Sequence, residues 1–344
     1  MNLLKKLSVS GIILAIFLSG CSKKAENTPA SPVSATEFVL NTVSTISIYG
    51  YEDEEAAQEV IDEAFGVCRE YERLLSRTAE GSDVWNINHS GGKPVKVSED
   101  TLYLLELSKE YGDLSGGAFD VTLGKISEMW DFSGENPSVP PAEDIAEAIS
   151  HTGYENIVIS DEGVYLADPE AHVDLGGIAK GYTADKVKEF LMEEDVDSAI
   201  INLGGNILAF GGKPSENGEI LPFQIGVSEP TDRENAGIMG YFTACDASVV
   251  TSGNYERYFE EGGVRYHHIL DSETGYPAET GLDSVTILSE KSVDGDALST
   301  TCFVLGLERA MELIESIPDT EAVFITSDGE TVMTSGAEAV YTVK

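Results

Sequence analysis

The run Tyr266-His267-His268-Ile-Leu-Asp-Ser-Glu-Thr-Gly-Tyr-Pro277 sets two of the chain's five histidines side by side. On an extended strand neighbouring side chains point to opposite faces, so only one of the pair can face a given site. An imidazole that titrates near neutrality can take a proton from a hydroxyl group. A satisfied structural histidine fits the same pattern. Further along comes Asp294-Gly-Asp-Ala-Leu-Ser-Thr-Thr301. If a helix opens at Asp296, Ser299 and Thr300 follow three and four positions on, over the same turn, and one carboxylate meets two hydroxyls. Such hard oxygens suit Mg²⁺, which keeps waters and borrows substrate phosphates. A helix N-cap alone explains Asp296 equally well.

Two glycine pairs could bring backbone close to a ligand. In Asp174-Leu-Gly-Gly-Ile-Ala-Lys-Gly181 a strand ends, two glycines turn the chain and a helix begins. Such a junction offers N–H groups to an anion, and Lys180 adds positive charge in the first turn. It has neither the GxxxxGK[ST] nor the GxGxxG spacing, and a plain strand–helix connection also fits. In Asn202-Leu-Gly-Gly-Asn206 the glycines interrupt a strand pattern and mark a bulge or a close approach.

The elements that must position these segments alternate irregularly between helix and strand. Residues 39–49 are β-branched and alternating, which predicts a strand. Apolar residues at Val60, Ala64, Cys68, Tyr71 and Leu75 predict a helix over 54–77, and 100–111 reads as another. Residues 156–160 and 163–167 read as two strands, 178–193 as a helix, and 199–210 as a strand broken at Gly204-Gly205. A hairpin is expected over 255–270, strands over 282–288 and 322–326, and a helix opening at Asp296. Strands often follow one another directly. The fold class predicted is therefore α+β, with mixed, largely antiparallel sheets and flanking helices, rather than a doubly wound parallel sheet.

The 344 residues carry 61 acidic and 21 basic side chains, a formal charge of −40. That surface repels phosphate backbones, so no nucleic-acid partner is expected. Lys5 and Lys6 precede a short apolar run over 7–18, too short for a comfortable membrane span, and Leu18-Ser-Gly-Cys21 follows. The pattern resembles a bacterial lipobox. Residues 1–20 are expected to be a lipoprotein signal peptide. Residues 21–36 would be a lipidated Cys21 and a flexible tether rich in Ser, Ala, Pro and Asn. Residues 37–344 would be one enzymatic domain. The mature protein is then expected outside the cytoplasm, held to the bacterial cell membrane by acyl chains. Cys68, Cys245 and Cys302 form no CxxC pair, which argues against a zinc cluster, and are expected as unpaired buried thiols.

Taken together these segments resemble the ApbE family of FAD:protein FMN transferases. The likeness includes Leu40-Asn-Thr42, Leu75-Ser-Arg77 with Asn86-Ile-Asn88, Gly117-Ala-Phe-Asp120 with Trp130, and Val250-Thr-Ser-Gly253. It also takes in the DLGGIAKG, NLGGN, HHILDSETGYP and DALSTT segments and the lipobox. It implies flavin-nucleotide contacts at Leu40, Thr78, Ala118, Phe119, Asp120, Asp174, Lys180 and Ile269. It implies Mg²⁺ ligands at Gly177 (through its carbonyl), Asp296, Ser299 and Thr300, and a catalytic base at His268. The implied activity is Mg²⁺-dependent transfer of FMN from FAD to a Ser or Thr of an extracytoplasmic acceptor protein, with release of AMP. Two departures stand out. Leu40-Asn41 replaces Met-Gly, and Asp271-Ser272 replaces Asp-Pro. Thr78 falls where relatives differ in hydrolysing FAD or transferring its FMN. An FAD pyrophosphatase and a non-catalytic flavin-binding lipoprotein therefore stay open.

Overall fold

The computed structural model describes residues 31–51, 53–132, 134, 137–215, 217–231 and 237–344. The signal-peptide segment and Cys21, with its expected lipid, lie outside the described residues. Among the described residues no helix is long and apolar enough to cross a membrane.

A sheet of eight strands forms the spine, each strand antiparallel to its neighbours. Across the sheet they are Val33–Val39, Thr42–Ile48, Ala199–Leu203, Asn206–Phe210, Ala247–Gly253, Leu282–Ser289, Glu321–Thr326 and Thr331–Met333. Eight described helices follow in chain order: α1 (Glu54–Leu75), α2 (Asp83–Asn88), α3 (Glu99–Ser115), α4 (Gly124–Trp130), α5 (Ala142–Ile149), α6 (Ala179–Glu193), α7 (Ser292–Leu305) and α8 (Leu307–Glu315). The α+β class and its antiparallel pairing are as expected.

Alternation along the strands explains the layering, because successive side chains face opposite sides. In Ala199–Leu203, Ala199, Ile201 and Leu203 turn toward α1 and α6. There they meet Phe65 and Cys68 of α1 and Val187 and Leu191 of α6. Ile200 turns the other way, toward Phe223, Ile225, Phe242 and Tyr341 of a three-stranded sheet. Both faces of the central strands are thus dry. Each fully buried Phe or Ile contributes about 1.5–3 kcal/mol, so truncating Phe65 would open a costly cavity.

The strand expected over 39–49 begins only at Thr42, after a turn at Leu40 and Asn41. Three further boundaries differ from the sequence reading. The tether expected over 21–36 ends before Val33, because Val33–Val39 is already a strand. Its polar residues form the outer face of a hairpin: the hydroxyls of Ser34 and Ser47 bond at 2.8 Å, those of Thr36 and Thr45 at 2.9 Å. Linker-like composition therefore hid a half-exposed strand. Residues 199–210 form a two-strand hairpin, not one broken strand. Gly204 and Gly205, at φ 64° and 90°, supply the left-handed turn that side-chain-bearing residues resist. The third difference is the start of α7, where Ser292 and not Asp296 opens the helix. Cys68 and Cys302 are buried free thiols as expected, whereas Cys245 is only half-buried.

Candidate active site

Helices α6 and α7 start side by side, and neither caps its own first turn with a side chain. Each is capped by the other. Asp185 of α6 accepts the Ser292 and Val293 N–H groups of α7, both at 2.9 Å. Asp296 of α7 accepts the Gly181 N–H of α6 at 2.8 Å through Oδ2. The donors left unpaired at a helix start are satisfied across the interface rather than along the chain. Gly181 permits the approach, since a Cβ there would strike the Ser292 carbonyl oxygen and crowd the Asp296 side chain. Asp296 thus sits in the second turn of α7, 3% exposed, and is not the N-cap expected from the sequence. Its other oxygen, Oδ1, faces Lys180 Nζ at 3.5 Å.

Around that carboxylate lie further oxygens. The Ser252 hydroxyl stands 2.8 Å from that of Ser299 and 3.4 Å from that of Thr300. Ser299 also donates to the Asp296 carbonyl at 3.0 Å and is fully buried. The Gly177 backbone passes close by, because a Cβ built there would lie 3.6 Å from Thr300 Oγ1. Asp174 is fixed on both oxygens, by the Gly176 N–H at 2.9 Å and by Arg77 Nε at 3.1 Å.

A cleft of about 1080 Å³ opens beside this cluster. Its wall includes Asp174, Gly177, Lys180, Asp296 and Thr300 on one side, and Leu40, Thr78, Ala118, Phe119, Asp120, His268 and Ile269 elsewhere. Every catalytic, flavin-binding and metal residue expected from the sequence lines it except Ser299, which lies behind the wall against Ser252. No motif singled out Arg77, Ser252 or Arg257 as lining residues, or Asp185 as a cap. A carboxylate four positions after Gly181 was the only sequence sign of Asp185, and helical spacing alone does not tell a cap from a solvated face.

His268 lies just past the end of the strand Val264–His267. Its backbone N–H donates to the Arg257 carbonyl at 3.0 Å, and Nδ1 lies 3.3 Å from the same oxygen. With Nδ1–H donating there, Nε2 is left as a proton acceptor. Removal from water, with Arg257 and Lys180 as secondary causes, lowers the imidazole to about 3, so it is neutral near pH 7. The adjacent His267 turns inward, edge-on to Phe303, and burial lowers it to about 4. One histidine therefore faces the cleft and the other the core, as alternation requires.

The two departures from the family motifs have visible consequences. Leu40 and Asn41 form the hairpin turn at φ 57° and 55°. Asparagine tolerates that region, whereas leucine is strained in it by about 1–2 kcal/mol. Arg257 Nη2 donates to the Asn41 carbonyl at 3.0 Å, tying the turn to the segment that holds His268. Where proline is usual, Ser272 donates to the Gly117 carbonyl at 2.6 Å, next to Ala118. Asp271 keeps the turn closed by accepting the Glu273 and Thr274 N–H groups at 2.8 and 3.0 Å. Asp120 accepts from the N–H and hydroxyl of Thr122 at 2.7 and 2.6 Å, and burial raises its carboxyl above the ordinary value.

One cleft thus gathers a lysine at a helix start, a buried carboxylate among hydroxyls and a neutral imidazole. Comparison with known proteins shows the family. The family model described as "ApbE family" matches residues 40–324, and the chain belongs to that family. It is 36% identical to an FAD:protein FMN transferase of Klebsiella pneumoniae (strain 342), over 88% of this chain and 92% of that one. It is 34% identical to one of Treponema pallidum (strain Nichols), over 92% and 90%. The crystal structure of the ApbE protein of Thermotoga maritima superposes with a TM-score of 0.82 at 32% identity, covering 90% of this chain and 99% of that one.

Proposed function

We propose that this chain is an FAD:protein FMN transferase. In this reading it moves FMN from FAD to a Ser or Thr hydroxyl of an extracytoplasmic acceptor protein and releases AMP. The observation that carries the reading is that His268 and Asp296, far apart in sequence, share one cleft with Lys180. At about 1080 Å³ that cleft is large for a ligand site, as a dinucleotide requires.

The donor set fits Mg²⁺. Among the described residues there is no cluster of three or more His, Cys, Asp or Glu side chains that could hold a metal. One carboxylate with neutral oxygens suits a cation that completes its shell with water and substrate phosphates, and does not suit zinc. Asp296, Thr300 and the Gly177 carbonyl would hold it, with Ser299 acting from behind through Ser252. Bound there, Mg²⁺ supplies charge neutralisation at the diphosphate oxygens.

The chain's own residues do the rest. Lys180 and the Gly177 N–H hold the anion at the start of α6. Phe119, Ile269 and Leu40 supply apolar surface for the flavin. Nε2 of His268 accepts the proton of the acceptor hydroxyl. The hydroxyl oxygen then bonds to the FMN phosphorus. The bond from that phosphorus to the bridging oxygen breaks, and the electron pair leaves on AMP. We further propose that residues 1–20 are removed, that Cys21 is lipidated and that the short following tether holds the enzyme at the outer face of a membrane.

The test incubates the purified chain with FAD, Mg²⁺ and candidate surface redox proteins and reads flavin fluorescence in denaturing gels. Fluorescent acceptor protein together with AMP is the expected result. Free FMN made equally fast without acceptor would show a pyrophosphatase, and stoichiometric FAD binding without turnover would show a binding protein.

A further inference from the structure

Three cationic side chains line the cleft: Arg77, Lys180 and Arg257. They share it with six carboxyl side chains, those of Glu72, Asp120, Asp131, Asp174, Glu256 and Asp296. In a chain of formal charge −40, a dinucleotide diphosphate must find its counter-charge among those few cations and a bound metal ion. Two of the three cations are already turned toward protein groups. Lys180 Nζ faces Asp296 Oδ1 at 3.5 Å and the Gly176 carbonyl at 3.4 Å, and Arg257 Nη2 donates to the Asn41 carbonyl at 3.0 Å. Arg77 differs. Among the described residues its guanidinium has one partner, Asp174 Oδ2, which faces Nε at 3.1 Å. Both Nη nitrogens keep their N–H donors without a protein acceptor.

The arginine is held in place from two directions. Ser76 ends α1, and its hydroxyl accepts the Thr78 and Ala79 N–H groups at 3.2 and 3.0 Å, closing a turn around Arg77. Helix α1 itself packs on α6, the helix that carries Lys180, through Phe65 and Cys68. Asp174, which anchors Nε, accepts the Gly176 N–H at 2.9 Å, and the next residue, Gly177, lies beside Thr300. One chain of contacts therefore runs from Arg77 to the corner of the cleft that holds Gly177 and Thr300. Stability does not account for the pair, because at 28% and 26% side-chain exposure an ion pair contributes little. A planar guanidinium anchored at Nε and open at both Nη atoms suits the oxygens of a phosphate.

We infer that Arg77 is a substrate-binding residue whose Nη groups donate to a non-bridging phosphate oxygen of bound FAD. Asp174 orients the guanidinium for that contact. The inference rests on the flavin-dinucleotide reading of the cleft and adds a contact to it.

The experiment titrates the full wild-type chain and Arg77→Met with FAD by calorimetry, in Mg²⁺ and without acceptor protein, and records the ³¹P NMR spectrum of the bound FAD. Methionine keeps an apolar stem and removes the donors. The FAD dissociation constant is expected to rise about ten- to hundredfold, the range for a lost hydrogen bond between charged groups. At least one phosphorus resonance of the bound FAD is expected to move. Near-UV circular dichroism checks the fold. If Arg77→Met does not fold, Arg77→Lys repeats both measurements, because a lysine whose ammonium pairs with Asp174 has no second nitrogen for the phosphate. A folded variant that binds FAD within twofold of wild type overturns the inference alone. Weaker binding with both phosphorus resonances unmoved makes Arg77 a support for Asp174 and overturns it as well. A wild-type chain that binds no FAD overturns the flavin reading and this contact with it.

Discussion

On the α6–α7 side of the cleft, each helix start is closed by the other's carboxylate, and the three bonds are 2.8–2.9 Å long. On the His268 side, separate segments meet through contacts to backbone carbonyls: Arg257 to Asn41, Ser272 to Gly117, and the N–H and Nδ1 of His268 to Arg257. The first wall is made of regular structure with two carboxylates set between helices. The second carries a strained leucine turn and a base that follows a strand end. The difference suits the two tasks. In the proposed function a diphosphate and a cation would need fixed charges, because electrostatic stabilisation works best when the dipoles are already in place. In the proposed reaction the acceptor hydroxyl would have to reach Nε2 of His268 on the second wall.

The sharpest way to break this contrast is to remove the fixed charge. Asp296→Ala is expected to lower Mg²⁺-dependent transfer by roughly a thousandfold, since several kcal/mol of charge stabilisation go with it. Wild-type rates in this variant, or equal rates in chelator, would remove the metal role. On the other wall, His268→Ala should cost about 10²–10³-fold in turnover while FAD still binds, as expected for loss of a general base. Loss of binding together with turnover would make His268 a structural residue. Because the free imidazole is lowered to about 3, the acid limb of kcat/KM should show no His268 step near pH 6.5.

Asp185 sharpens the comparison from behind the site. Its carboxyl, raised to about 6 by burial and lowered in part by the two N–H bonds, is not among the groups lining the cleft. Asp185→Asn presents an amide N–H₂ where a second acceptor was needed. It should destabilise the fold by about 1–2 kcal/mol, as a lost cap does, and raise the Mg²⁺ concentration for half-maximal rate. A melting shift with an unchanged Mg²⁺ requirement would confine Asp185 to stability.

The smallest expected effect comes from His267. Burial holds it at about 4 in the folded chain against an ordinary 6.5. Between those values the unfolded chain binds the extra proton, so stability is full above pH 6.5 and falls as pH drops toward 4. From pH 7 to 5 the loss is about 1–2 kcal/mol. The raised carboxyl of Asp185 works in the opposite direction, so the comparison is between wild type and His267→Gln, whose denaturant midpoints should diverge at high pH and converge on acidification. Parallel midpoints across that range would show His267 to be titrating normally.

Much of the site was legible beforehand because it is written in short segments. DLGGIAKG, HHILDSETGYP and DALSTT each keep their donors within a few residues, and local spacing already set His267 and His268 on opposite faces. The strand pairs at 156–167 and 255–270 and the helices at α1, α3 and α6 followed from periodicity. Periodicity missed the strand that begins at Val33, where alternating Ser and Thr on an outer face look like linker. It also placed the start of α7 too late, since an Asp within a helix looks like an Asp that begins one. The sequence by itself settled which residue types were on hand: one imidazole for the cleft, one carboxylate with hydroxyls beside it, one lysine at a glycine turn. Only the tertiary structure decided that Asp185 and Asp296 cap each other's helices and that Ser299 stands behind Ser252. Those facts depend on contacts between residues 47 to 115 positions apart, and neither spacing nor composition carries that information.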